Sequence, residues 1–202
     1  FVEDPERTTD AHPRLTASAH AATALTVGTL VAAIVVGRPW TLSGRPQTER
    51  VTVPQTRFSV LAPPAEVVAE ESPEGVIAVG VGDILTDPYF VGVEVRPWLE
   101  QVEGAIRSDE IEAWLSIEPA VPEEATRIER TESADADPPS YEEVYRYPNG
   151  AHLYSRAYMF EDVEVVVTAF VFDGASEAIT ASARGAIGSL QATRRTPDAA
   201  PE

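Results

Sequence analysis

Residues able to do chemistry are few and scattered in this chain. Its 202 residues include three histidines, His12, His20 and His152, and no Cys or Lys. The first two precede or fall inside a long uncharged run, so no two histidines share a plausible soluble site. The absence of Cys excludes thiol catalysis, disulfide scaffolds, thiolate zinc sites and lipid attached through Cys. There is no His-Glu-x-x-His, Gly-x-Ser-x-Gly or P-loop pattern. Gly80-Val81-Gly82-Asp83 is Gly-x-Gly alone, and the end of a strand accounts for it. The densest acidic stretch holds Glu123, Glu124, Glu129, Glu132, Asp135, Asp137, Glu142 and Glu143. It lacks the ordered oxygen spacing and turning glycine of a calcium loop, and it reads as solvated. No catalytic residue, cofactor or metal is expected.

A binding patch is the remaining possibility. Residues 151–160 alternate, which places His152, Tyr154, Arg156, Tyr158 and Phe160 on one strand face and Leu153, Ala157 and Met159 on the other. Tyr145 and Tyr147 lie across the turn Pro148-Asn149-Gly150. Mixed aromatic and basic residues on one face are the composition of binding surfaces. The same pattern also suits cross-strand pairing on a solvent face, or burial under a helix.

The elements that must position this patch follow from periodicity. Residues 57–61 form a short strand closed by Pro63-Pro64, 76–81 form an apolar run, and 90–95 alternate. Pro97 suits the first position of a helix carrying Trp98, Leu99, Val102 and Ile106. Residues 110–117 fit either a strand or a helix. Residues 119–140 are acidic and Pro-containing, with one strand at 125–132. Then come strands at 141–147, 151–160 and 163–172, joined by tight turns. The last presents Val163, Val165, Val167, Ala169 and Val171 on one face. A helix over 175–190 follows, striped with Ile179, Ala183, Ile187 and Leu190. The opposite stripe carries Glu177, Thr180 and Arg184. The predicted fold class is α+β, an antiparallel sheet with packed helices, preceded by one transmembrane helix.

That helix is residues 15–37, uncharged for 23 residues and bracketed by Arg14 and Arg38-Pro39-Trp40. At about 1.5 Å per residue it crosses a hydrocarbon core of about 30 Å. Ala24, Gly28 and Ala32 recur at spacing four, the small-residue face along which two membrane helices approach, and His20 at membrane depth calls for a protein partner or water. The expected organisation is a segment 1–14, the span 15–37, a linker 38–50, a domain 51–195 and a disordered tail 196–202. The formal net charge of −18 argues against nucleic acid as a partner. Flanking arginines do not decide the orientation. An all-Arg basic set with abundant Ala, Val and Glu suggests a high-GC bacterial host.

The phrase Phe58-Ser59-Val60-Leu61-Ala62-Pro63-Pro64, the late meander with residues 157–172, and the helix ending in Ile187-Gly188-Ser189-Leu190 together resemble the PsbP-like family. That family includes extrinsic photosystem proteins and small envelope lipoproteins of actinobacteria. The resemblance spans most of 51–192 and rests on structural motifs. It implies a non-catalytic accessory or carrier role, and an extracytoplasmic domain. The lipoproteins are held by a lipidated Cys, which this chain lacks, so the helix 15–37 would anchor it in the cell membrane. The expected function is an accessory subunit of an integral membrane protein complex, such as a respiratory supercomplex or a lipid-export machine. The alternative is a carrier of a lipid or small apolar ligand between sheet and helix. A filled interior favours the subunit, and an apolar cavity favours the carrier.

Overall fold

The computed structural model describes residues 47–82, 87, 89–98 and 106–193. The expected span 15–37, with His20, Ala24, Gly28 and Ala32, lies outside the described residues, as does the tail. Among the described residues no helix is long and apolar enough to cross a membrane.

Ten strands and two helices are described. A three-stranded sheet has the order β1-β2-β10, formed by β1 (Glu49–Thr52), β2 (Phe58–Ala62) and β10 (Gln191–Ala192). A seven-stranded sheet has the order β3-β4-β5-β9-β8-β7-β6, formed by β3 (Val67–Glu71), β4 (Ile77–Val81), β5 (Tyr89–Pro97), β6 (Thr126–Ser133), β7 (Ser140–Arg146), β8 (His152–Met159) and β9 (Val163–Val171). Every pairing is antiparallel. The helices are α1 (Ser108–Leu115) and α2 (Glu177–Ile187). The α+β reading and the meander β7-β8-β9 followed by a helix are therefore observed.

Helix α2 starts where Ser176 Oγ accepts a hydrogen bond from the Ile179 amide, and it packs against β9, β2, β5 and β8. Its stripe of Ile179, Ala183 and Ile187 meets Val165, Val167 and Ala169 of β9 and Val60 of β2 in one apolar core. Leu190 joins it partly buried. One face of the large sheet is thus sealed by α2 and the small sheet. Helix α1 lies on the opposite face, where Trp114 and Leu115 pack with Ala157, Met159 and Val166. Strand β9 is consequently apolar on both faces.

The structure departs from expectation at two boundaries, decides one segment that the sequence leaves open, and adds a strand. Residues 49–50, read as linker, belong to β1, because Val51 is buried once β1 pairs with β2. Pro97 ends β5 rather than starting a helix; β5 runs on to pair Arg96 with Glu164, whose side chains form an ion pair of 3.1 Å. Residues 99–105 of the helix expected there lie outside the described residues. The segment 110–117 resolves as the helix α1, whose first turn is fixed by the Glu110 carboxylate accepting from the Arg107 amide at 2.8 Å. Strand β3 carries no alternation of burial, and no signal in the sequence marks it.

Candidate functional site

The hairpin β7–β8 brings the predicted patch together only in part. His152, Tyr154, Arg156 and Tyr158 do share a face, but α2 covers it. Tyr154 and Tyr158 are buried in the core under that helix. The Tyr158 hydroxyl donates to the Ile187 carbonyl at 2.6 Å, and burial pushes its pKa up to about 12. Arg184 of α2 lies over the Tyr154 ring at 5.0 Å, and His152 stacks beside that ring with centroids 6.1 Å apart. Arg156 donates to Ser140 Oγ at 3.0 Å and sits over Tyr158. Tyr145 and Tyr147 fall on the opposite face: the register sets Tyr145 against Leu153. There they pack with Leu153 and Phe170 in a separate apolar cluster. None of the four tyrosines is more than 6% exposed. Their aromatic surface is spent on the two faces of the sheet, so the reading as burial holds over the reading as a solvent patch.

The face that carries α1 holds two ionic clusters instead. In the first, Glu143 of β7 is 2% exposed. Its Oε1 accepts from Arg127 Nη1 at 2.9 Å and Arg130 Nη1 at 3.1 Å, both from the neighbouring strand β6. Its Oε2 accepts from the Tyr145 hydroxyl at 2.6 Å. Burial, reinforced by that bond, raises the Tyr145 pKa far above its ordinary value. Arg130 also donates to the carbonyls of Leu115 and Ile117, so its positive charge closes the C-terminal end of α1. In the second cluster, Glu164 of β9 accepts from Trp114 Nε1 of α1 at 2.9 Å and from Arg96 Nη1 at 3.1 Å. Arg96 Nε donates in turn to Glu94 at 3.0 Å.

These clusters correct the solvated reading of the acidic stretch at Glu143. The reason is the register: β6 places Arg127 and Arg130 beside that carboxylate. A signal for this existed in the sequence. On a strand, Glu143 shares a face with Tyr141 and Tyr145, and an acid flanked at i±2 by aromatics is on its way into a core. Chemically, each carboxylate is engaged by several donors, and the donors fasten α1 to the sheet. Among the described residues no group of three or more His, Asp or Glu is placed to hold a metal ion.

No family profile matches the chain, and no curated protein sequence matches it. Among solved structures, the chain is similar to the cyanobacterial PsbP (CyanoP) of Synechocystis sp. PCC 6803, with a TM-score of 0.46 and 10% identity, over 79% of this chain and 99% of that one. A crystal structure from Bacteroides thetaiotaomicron VPI-5482 is similar with a TM-score of 0.36 and 14% identity, over 75% of this chain and 50% of that one. Likeness at this level says nothing of function.

Proposed function

We propose that the protein is a non-catalytic, single-pass accessory subunit of a bacterial envelope complex, anchored by residues 15–37 with its α+β domain outside the membrane. The observation that supports this reading over the carrier is the interior between sheet and helix. Val60, Val165, Val167, Ile179, Ala183 and Ile187 fill it, each at most 2% exposed. Two such layers packed directly together have their apolar surface occupied by each other, and the domain's interactions then belong on its outside. The sequence resemblance to PsbP-like proteins supports a non-catalytic role, accessory or carrier alike.

The test is purification of the tagged full-length chain in mild detergent, with mass spectrometry of what accompanies it. The expected result is an integral membrane partner in fixed ratio, reduced by Gly28→Leu with Ala24→Leu, because bulk at those positions prevents close helix approach. A chain released from membranes by carbonate would remove the anchor. A chain that purifies alone with a stoichiometric bound lipid would favour the carrier.

A further inference from the structure

The two edges of the seven-stranded sheet are unlike. At one edge β6 carries a register shift between Arg127 and Glu129, a bulge that breaks the regular ladder. At the other, β3 is regular over its whole length, paired residue for residue with β4 from Val67↔Val81 to Glu71↔Ile77. Among the described residues no strand pairs with its outer side. All five of its residues are exposed, Val67 at 36% and Val68 at 58%.

The parity of its backbone can be worked out. Ser72 N donates to the Val76 carbonyl at 2.9 Å where the β3–β4 turn closes. In an antiparallel ladder hydrogen-bonded pairs alternate, so Glu70 and Val68 face β4 with their amides and carbonyls. Val67, Ala69 and Glu71 therefore turn theirs outward. The sequence around β3 is acidic, with Glu70 and Glu71 on the strand itself. From residue 58 to residue 95 the chain has no Arg, Lys or His, and β3 with its flanks carries Glu66, Glu70, Glu71 and Glu74.

We propose that the outer edge of β3 receives an extended segment of a partner protein as an eighth, antiparallel strand, with two basic residues followed by two apolar ones. The idea rests on reading the domain as a partner-docking subunit, and names the surface that docks. An antiparallel occupant meets Glu71 and Glu70 first, then Ala69, then Val68 and Val67. Charge complementarity sets its first pair and apolar contact its second, while backbone bonds supply affinity. Acidic side chains alone serve to keep an edge solvated, but an adjoining pair of exposed valines works against that purpose. A second copy fits poorly. Self-pairing centred on Ala69 sets Val67 against Glu71, and brings together two chains of net charge −18.

The experiment uses the full chain in mild detergent and a fluorescein-labelled peptide, Thr-Arg-Arg-Thr-Val-Val-Thr, read by anisotropy. This peptide is expected to bind about tenfold more tightly than its reversed sequence or than the version with Glu for Arg. Ala69→Pro, which removes an outward amide and spares the β4 ladder, should weaken binding by a similar factor. Methylating the second, fourth and sixth peptide amides should abolish binding, and methylating the third and fifth should not. The methylation series stands even where Ala69→Pro lowers the melting temperature. Equal binding of the reversed peptide, or indifference to amide parity, would reduce the effect to charge attraction and overturn the proposal. A self-association of the chain that Ala69→Pro dissolves would overturn it too, by naming a second copy as the occupant. Recovery of a membrane partner by Ala69→Pro as readily as by the parent chain would sink the β3 edge while keeping the accessory reading. Parity-dependent peptide binding in a chain with no membrane partner would do the reverse.

Discussion

Glu143 shows how a strongly acidic chain can bury a carboxylate. Its three donors come from Arg127, Arg130 and Tyr145, and Arg130 is itself tied to the end of α1. Glu143→Gln should therefore cost about 3–5 kcal/mol, because two guanidiniums lose the charge that compensates them. Glu132→Gln, at a half-exposed partner of Arg130, should cost under about 1 kcal/mol. Urea midpoints decide this, and equal shifts would mean that Glu143 is solvated after all. The tyrosines carry a second prediction. Burial raises Tyr89, Tyr147 and Tyr158 to about 12, against about 10 in an unfolded chain. Tyr141 and Tyr145 go higher, also chiefly through burial. A folded-state pKa above the unfolded one favours the neutral phenol in the fold. That stability is complete below pH 10 and is lost as pH rises toward 12 and beyond, by on the order of 2 kcal/mol per phenol. Urea midpoints should be flat to pH 10 and fall steeply above it, with tyrosinate absorbance rising together with unfolding; early, non-cooperative ionisation would contradict this. The aromatic identities were legible in the sequence, but not their duty. Alternation separates two faces and cannot say that both are covered: α2 follows the meander directly, but α1, the cover of the other face, comes from residues 108–115, before β6.

Helix α2 and strand β9 carry most of what periodicity could reveal. The stripe Ile179, Ala183, Ile187 and the run Val165, Val167, Ala169 face each other as the spacing predicts. Ile187→Ala should cost about 2–5 kcal/mol as a truncation in a filled core. Arg184→Ala loses an exposed ion pair with Glu129 at 3.6 Å and a ring contact, and should cost under about 1 kcal/mol. Thermal melts compare the two, and equal losses would mean that the helix presents another face to the sheet. Strands β1 and β3 escaped the sequence because both are sheet edges with little buried apolar surface to set up an alternation. Strand β1 is held by β2 and by Arg50 Nη1 donating to the Ser189 carbonyl at 3.1 Å. Strand β3 has polar and apolar residues mixed on both faces, because neither face is under cover. Pro97 looked like a helix start because β5 outruns its own alternation to reach Glu164.

On the scale of the whole molecule, the two sheets and α2 enclose one continuous core drawn from residues 51–190. Residues 47–193 alone should therefore unfold in a single cooperative transition that a chelator leaves unchanged; a melt lowered by chelator would reveal a structural metal. The architecture of this body follows from apolar periodicity, whereas which sheet edges stay open depends on strand order, and strand order is written in no local pattern. The bulge in β6 then acquires a meaning at the level of assembly. A sheet with two regular edges can be lengthened at both, and copies or partners can propagate along it. With the ladder interrupted between Arg127 and Glu129, that side offers no second edge as regular as β3, so the complex proposed at β3 would end after one addition, in a one-to-one stoichiometry rather than a chain.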